Sequence, residues 1–480
     1  MTALSIYERR LVYSQHPIGM LEVDLDVIRR FDIKTPNYPL YPSIDNFTNT
    51  FGTSAHASWV NNRRIGGVRR PLSIYIHIPF CSSLCFYCKY NHLIKTKKKN
   101  IEKYVSFLLH EIRLQGELFQ GNNTSVEQIY FGGGTSSILS DDQLHRVMSD
   151  LYQHFDLTKD GECAIEIDPR LTTNQSITTL KEIGFNSMTL GVQDFEYEVQ
   201  AAHRNQSEED TLRAIFDAQQ EDFKSINIDL AYGLPKQSID HFNRTLDKII
   251  NARPNRISLV NYVHLPEKFK VKKHIKEKGL PLTEAKLKII QHAINQLTKD
   301  GYIHIGINHF ARQDDKLVVA QQQGRLYRNF QGYSTQLDCD LIGVGVSAIG
   351  SIGPTYNQNY CDLDQYYSRL KQNRLPIMHG LELTADDLLR RLVMHMLICN
   401  SILSFESIET AFPIDFKCYF SNEMAELLEY EKSGLLTLGN EEIIITPKGR
   451  LLICSICMVF DKYQQESKEM ALLNVQQPVI

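Results

Sequence analysis

From about residue 70 onward, short apolar runs alternate with longer stretches whose apolar residues recur at three- and four-residue intervals. The runs Ser73–Ile78, Gln128–Phe131, Cys163–Ile167, Ser187–Val192, Ile226–Ala231 and Arg256–Val263 read as strands. Amphipathic helices are expected between them. Ile101–Phe119 places Tyr104, Val105, Leu108, Leu109 and Ile112 on one face, and Ser140-Asp-Asp-Gln143 opens the next helix with a capping-box pattern. Further helical stretches span roughly 174–183, 207–221 and 238–252. Six β/α units imply a parallel sheet with right-handed crossovers, in which chemistry gathers at the carboxyl ends of the strands.

Beyond Thr283 another helix, with Leu287, Ile290, Ala293, Ile294 and Leu297 on its apolar face, stops before Gly301 and is followed by a strand-like stretch, Tyr302–Phe310. From Thr384 the pattern changes. Two or three helices precede Ser433–Thr446, which reads as a hairpin turning at Gly439-Asn440. Helix plus hairpin suggests a winged helix, but no basic recognition helix accompanies it, so a lid or cap is expected instead. At 480 residues the chain exceeds one compact core. The expected division is an N-terminal extension (1–65), a catalytic core (66–300), its continuation (301–375) and a mainly helical, winged-helix-like C-terminal domain (376–480).

Composition narrows the class. The chain is 42% apolar and 22% charged, as ordinary soluble proteins are, and its net charge of −4 gives no general reason to expect nucleic acid or an anionic membrane as partner. No apolar run approaches a membrane span, and Met1–Gly19 lacks the uninterrupted apolar core of a signal peptide. Unpaired cysteines without a secretory signal point to a reducing cytoplasm. The basic cluster Lys95–Lys99 precedes a helix; a solvated face explains it, and docking of an acidic electron donor is the sharper reading.

The chemistry concentrates in Cys81, Cys85 and Cys88, spaced C-x3-C-x2-C directly after the first strand. Three thiolates on one loop hold three irons of a four-iron cubane and leave the fourth open to an exogenous ligand. S-adenosylmethionine (SAM) can chelate that iron through its amino and carboxylate groups, and electron transfer then cleaves it to a 5′-deoxyadenosyl radical. Zinc, with His92 as a fourth ligand, is the structural competitor. Cys454 and Cys457 fall in an apolar helical run and read as buried core thiols, as do Cys163, Cys339, Cys361, Cys399 and Cys418, which lack metal spacing.

Other strand ends add polar or glycine-rich groups. Gly132-Gly-Gly-Thr135 allows close backbone approach to a ligand. Glu166 and Asp168 alternate with Ile165 and Ile167, so both carboxylates are expected on one side of a strand, where they would accept hydrogen bonds from a ribose or an ammonium. Asp229 lies inside an otherwise apolar strand, where a carboxylate must be paired or functional. Gln193 ends another strand, and Arg204 could neutralise a SAM carboxylate.

The run Tyr75–Cys88, together with Gly132–Thr135, Ile165–Arg170, Gly191–Phe195, Asn227–Gln237, Asn261–Pro266, His309–Arg312, Asn329–Tyr333, Gly343–Ile349, Gly449–Leu452 and Ile456–Met458, resembles the oxygen-independent coproporphyrinogen III oxidase (coproporphyrinogen dehydrogenase) family of radical SAM proteins. The resemblance covers nearly the whole chain. It implies a partial (β/α)6 TIM-like barrel with a mainly helical C-terminal domain, a 4Fe–4S cluster and two SAM molecules. Carried over by position, Tyr75, Gly133, Glu166 and Ile349 would hold the iron-bound SAM. Tyr87, Gly134, Thr135, Gln193, Arg204, Asp229 and Val263 would hold the second. The implied reaction turns two propionates of coproporphyrinogen III into vinyl groups. Arg312 is a candidate partner for a substrate carboxylate, and a flavodoxin or ferredoxin would supply electrons to a monomeric, cytoplasmic enzyme. Related haem chaperones and radical SAM methyltransferases or haem-degrading enzymes are the alternatives. The chain departs from the family pattern at Tyr90, where a further cysteine is usual, at Lys89 and Ser136, where glycine and proline are usual, at Asn37, where arginine is usual, and at Val263, which stands for alanine.

Overall fold

The computed structural model describes residues 21, 24–31, 40–63, 70–83, 85, 97–120, 125–200, 206–266, 272–273, 275–336 and 339–465, and the backbone of 93–94. The chain divides into two compact units, neither a single stretch of sequence. One comprises Phe47–Ala293 and Asp338–Glu382; the other comprises the described residues of Met1–Asn46, Ile294–Leu337 and Leu383–Ile480. The expected boundaries at 65, 300 and 375 do not coincide with these units, because the described residues of 294–337 and those up to Asn46 belong with the C-terminal part.

The first unit is built on parallel strands β1 (Leu72–Ile78), β2 (Ser125–Gly133), β3 (Asp156–Ile167), β4 (Ser187–Gln193), β5 (Ser225–Tyr232) and β6 (Arg256–Asn261), each beside its predecessor in sequence. A seventh strand, β7 (Asp340–Val344), pairs in parallel with the free side of β1, an addition the chain pattern did not announce. Helices α1 (Lys98–Phe119), α2 (Asp141–His154), α3 (Asn174–Ile183), α4 (Glu208–Gln220) and α5 (Ile239–Ala252) fill the crossovers, and α6 (Thr283–Lys299) follows β6. This is the partial (β/α)6 arrangement. Strand residues such as Leu72, Ile74, Ile76, Ile129, Phe131, Ile165, Leu190, Ile228 and Leu259 are fully buried, as strands covered on both faces require. The capping box at Ser140 forms as expected, with the Gln143 amide donating to the Ser140 hydroxyl.

The lower part of this sheet is fastened by a buried ion pair. Arg63 Nε donates to Asp340 Oδ2 at 2.8 Å, and the other carboxylate oxygen of Asp340 accepts from the Gly353 amide. Behind β7, the strands Ile349–Gly350, Thr355–Asn359 and Ile377–Glu382 form a small antiparallel sheet, and helix α7 (Leu363–Lys371) lies between the last two in sequence.

The second unit is mainly helical. Its helices Ala385–Asn400, Phe405–Ala411 and Ser421–Lys432 pack around Phe405, Phe416, Phe420 and Phe460. The hairpin forms at the expected place, Leu436–Leu438 pairing with Glu442–Ile445, and Ile402–Ser404 adds a third strand. Tyr302–Phe310 is not one strand but a hairpin, Tyr302–Gly306 against His309–Arg312, turning at Ile307-Asn308, with Gly306 and Ile307 both at positive φ. Cys163, Cys399 and Cys457 are buried as expected, while Cys339 and Cys454 are only half-buried. Cys361 and Cys418 are exposed, against expectation: Cys361 lies in a surface bend, and Cys418 lies on a one-turn helix that buries Phe416 instead. Among the described residues no helix is long and apolar enough to cross a membrane.

Candidate active site

The carboxyl ends of β1 to β6 carry most of the expected residues, and local backbone constraints explain how each is placed. After β1 the chain runs into a two-residue strand, Phe80–Cys81, paired in parallel with Leu93–Ile94, so Ile94 lies beside Cys81. The loop between therefore leaves and returns at one point. Cys81 and Cys85 are half-buried thiols that form no disulfide. Cys88, Tyr87, Lys89, Tyr90 and His92 lie outside the described residues, as do Arg204 and Asn37. Among the described residues no three metal-ligating side chains are gathered; two of the three expected cysteines are on the loop that would gather them.

The glycine run after β2 lies against that loop. The Gly134 amide donates to Ile78 O at 2.7 Å and the Thr135 amide to Phe80 O at 2.8 Å. A Cβ at Gly134 would collide with the Phe80 carbonyl, and Gly133 has φ +110 with the His77 ring where a side chain would stand. These positions need glycine because two strand ends approach backbone to backbone. The Thr135 hydroxyl reaches Cys81 Sγ at 3.8 Å. A thiol pair, a hydroxyl on one thiol and a side-chain-free wall are a donor set that fits an iron–sulfur cluster with a ligand lying along the glycines.

Glu166, at the end of β3, faces this wall. Tyr130 donates to its Oε1 at 2.8 Å and the Gly133 amide to its Oε2 at 3.3 Å. Burial pushes its carboxyl up to about 7; the Tyr130 hydrogen bond pulls it down, Asp229 pushes it up, and Gly133 pulls it down again. Tyr75 stacks near Tyr130, with centroids 6.2 Å apart, and its hydroxyl shares a hydrogen with His77 Nδ1 at 2.9 Å. Asp229, on β5, is also raised by burial, against hydrogen bonds from Ser258 and Asn227, the latter at 2.9 Å. Two carboxylates thus share the inner face of the barrel, close enough for Asp229 to disfavour the charge on Glu166. Such a pair attracts a cation.

Gln193 ends β4 in the left-handed region, φ 65, at a bulge in the β4–β5 pairing. The residue after it holds that geometry: buried Asp194 accepts from Gln237 at 2.6 Å, Thr245 at 2.8 Å and the Glu196 amide at 2.9 Å. Val263 follows β6 with an exposed side chain, and its carbonyl accepts from the buried Lys272 ammonium at 2.6 Å. Ile349 opens the strand beyond β7, paired with Gln358.

Asp168 departs from expectation. β3 ends at Ile167, and Asp168 starts a short 3-10 turn with its carboxylate held by Arg170, 2.5 Å away. Arg170 also donates to Ser83 Oγ in the cysteine loop at 2.8 Å. Asp168 thus braces that loop through Arg170 instead of facing a ligand unpaired. Arg312 belongs to the other compact unit, where its half-exposed guanidinium lies 3.5 Å from Asp314. Tyr130, Asp194, Asn227 and Ser258 escaped the sequence reading. Tyrosine, asparagine and serine in strands carry no signal of their own, and only the strand-end position of Asp194 hints at it.

Comparison with known proteins agrees with this arrangement. The model of the radical SAM superfamily matches residues 75–249, and that of the HemN C-terminal domain matches residues 383–452. The oxygen-independent coproporphyrinogen III oxidase of Pseudomonas aeruginosa is 43% identical over 92% of this chain and 96% of its own length. That of Escherichia coli is 40% identical over 94% of this chain and 98% of its own. A solved structure of the Escherichia coli coproporphyrinogen III oxidase, described as a radical SAM enzyme, superposes with a TM-score of 0.87, covering 93% of this chain and 100% of that one. At this identity over nearly the full length of both partners, the chain belongs to the oxygen-independent coproporphyrinogen III oxidase family of the radical SAM superfamily.

Proposed function

We propose that this protein oxidatively decarboxylates two propionate side chains of coproporphyrinogen III to vinyl groups, giving protoporphyrinogen IX without oxygen. The observation that carries the reading is the near-complete, 40–43% identical match to enzymes of that name. The haem-chaperone and methyltransferase alternatives have no observation of their own in this structure.

In this reading Cys81, Cys85 and Cys88 hold a 4Fe–4S cluster, and Tyr75, Gly133, Glu166 and Ile349 hold the SAM on its open iron. When bound, cluster and SAM supply a 5′-deoxyadenosyl radical that removes a hydrogen atom from the β-carbon of a propionate. Loss of carbon dioxide and of one electron to an acceptor then leaves the vinyl group. The protein's own part is position and charge. The glycine wall admits the ligand backbone-close, and Glu166, oriented by Tyr130 and Gly133, accepts hydrogen bonds from its cationic or hydroxyl groups. A second SAM is assigned to Tyr87, Gly134, Thr135, Gln193, Arg204, Asp229 and Val263. The strained Gln193 backbone and the buried Asp229 support that assignment, since such costs are retained where a ligand needs them. A low-potential carrier such as a flavodoxin or ferredoxin would deliver the electron, and the protein would act as a cytoplasmic monomer.

The test is an anaerobic assay of the iron–sulfur-reconstituted protein with SAM, a reductant and coproporphyrinogen III. Protoporphyrin formed together with 5′-deoxyadenosine supports the reading. SAM cleavage without a porphyrin product would assign another substrate.

A further inference from the structure

The turn between β7 and Ile349 is held by two side chains that come from α1, outside the cysteine and glycine loops. Tyr104 and Glu111 stand seven residues apart on that helix, on one buried face, and neither is exposed. The Tyr104 hydroxyl donates to His77 O at 2.7 Å and accepts from the Val346 amide at 3.1 Å, so it joins the end of β1 to the turn. Glu111 accepts from the Gly345 amide at 2.8 Å, from Asn359 Nδ2 at 2.7 Å and from the Tyr366 hydroxyl at 2.6 Å.

The rest of the turn is occupied as thoroughly. The Ser347 amide donates to Tyr360 O at 2.9 Å. The carbonyls of Gly345, Ser347 and Ala348 accept from Asn359 Nδ2, Gln358 Nε2 and the Asn359 amide. Two residues of this turn are left-handed: Gly345 at φ +107, and Ser347, which is not glycine, at φ 59. A Cβ at Gly345 would stand 2.6 Å from the Tyr104 hydroxyl and 2.7 Å from His77 O. A strained backbone and a fully buried carboxylate are both costly, and here they occur together, two residues before Ile349. A turn needing only to reverse the chain requires neither.

We infer that Glu111 and Tyr104 are positioning residues for SAM: they fix the Gly345–Ala348 turn so that Ile349 meets the iron-bound SAM beside Tyr75. The inference rests on the assignment of Ile349 and Tyr75 to that ligand. The two are coupled through β1, since His77, whose carbonyl Tyr104 holds, carries the ring that shares a hydrogen with Tyr75.

The test uses the reconstituted full-length protein and its E111Q and Y104F variants, with SAM as the probe. Iron content, the electron paramagnetic resonance spectrum of the reduced cluster with and without SAM, and SAM affinity by calorimetry are measured. Both variants should keep wild-type iron content and an unchanged spectrum without SAM. Both should bind SAM about tenfold more weakly, with a smaller SAM-induced spectral change, as a weakened hydrogen-bond network around the turn predicts: Y104F removes the bonds to His77 O and from the Val346 amide, and E111Q removes the charge that the Glu111 carboxylate presents to its donors. SAM affinity within about twofold of wild type in both would overturn the inference and leave Glu111 and Tyr104 as packing groups. Should E111Q fail to fold, Y104F decides alone, because it removes only the hydroxyl and keeps the packed ring. None of these readings needs a porphyrin, so failure of the proposed reaction would not be mistaken for failure of this inference.

Discussion

Burial raises the carboxyls of Glu166 and Glu111 to about 7, while in the unfolded chain they titrate near 4.5. A folded-state value above the unfolded one means the folded protein holds protons the unfolded chain has lost. The stability contributed by these groups is complete below pH 4.5 and is lost as pH rises through 7. For the fully buried Glu111 the rise corresponds to roughly 3 kcal/mol. Urea unfolding of the SAM-free protein at pH 5 and pH 8 should therefore show a smaller loss on going to pH 8 in E166Q and in E111Q than in wild type. Equal losses in all three would refute the assignment. SAM is a cation and favours the ionised Glu166, so E166Q should also weaken SAM binding at pH 8 by tenfold or more, consistent with a lost charge-assisted hydrogen bond. Glu166 was legible in the sequence because a carboxylate alternating with isoleucines at a strand end has few structural uses. Tyr130 was not, because tyrosine is an ordinary strand former and its hydroxyl partner lies 36 residues away. Asp168 differs for a local reason: it lies one step past the strand, caps a short turn, and its carboxylate is taken by Arg170, a partner that strand alternation does not announce.

Each strand end contributes through the backbone as much as through side chains. Within the run Gly132–Gly134 the tightest approach is at Gly134, so Gly134→Ala should push the cysteine loop away from β2. The expected outcome is normal secondary structure with a loss of most SAM affinity, measured by calorimetry on the reconstituted protein; wild-type affinity would show that the close approach has no bearing on the ligand. At the opposite end of the sheet, Arg63 and Asp340 form an ion pair with both side chains almost fully buried. Asp340→Asn leaves the guanidinium without its counter-charge, and a loss of about 3–5 kcal/mol in urea unfolding is predicted, with cluster loading unaffected where the protein remains folded. The six β/α units were readable because apolar runs and 3.6-residue periodicity alternate without interruption from residue 72 to residue 261. Strand β7 was not, since five residues arriving after a long excursion give too short a run to be told from a buried loop. The reversal inside Tyr302–Phe310 is hidden for a related reason: the turn is only two residues, Ile307 and Asn308, and it opens on an isoleucine, which rarely marks a reversal.

The two compact units each draw on distant parts of the sequence, which no local pattern reveals: residues 294–337 lie between two segments of the first unit and yet cluster with the C-terminal helices. What the chain as a whole makes legible is the family, because its motifs run from Tyr75 to Met458 and the full-length relatives match at 40–43% identity. The substitution of Tyr90 for the family's usual cysteine falls outside the described residues, so turnover itself must report on it. Each vinyl group requires one hydrogen atom taken from a propionate, hence one SAM cleaved. The decisive measurement is the ratio of 5′-deoxyadenosine to protoporphyrin formed anaerobically from coproporphyrinogen III by the reconstituted protein, beside its C85A variant. Two molecules of 5′-deoxyadenosine are expected for each protoporphyrin, and neither product from C85A. Abundant 5′-deoxyadenosine with no decarboxylated porphyrin, or SAM cleavage that survives in C85A, would contradict that expectation.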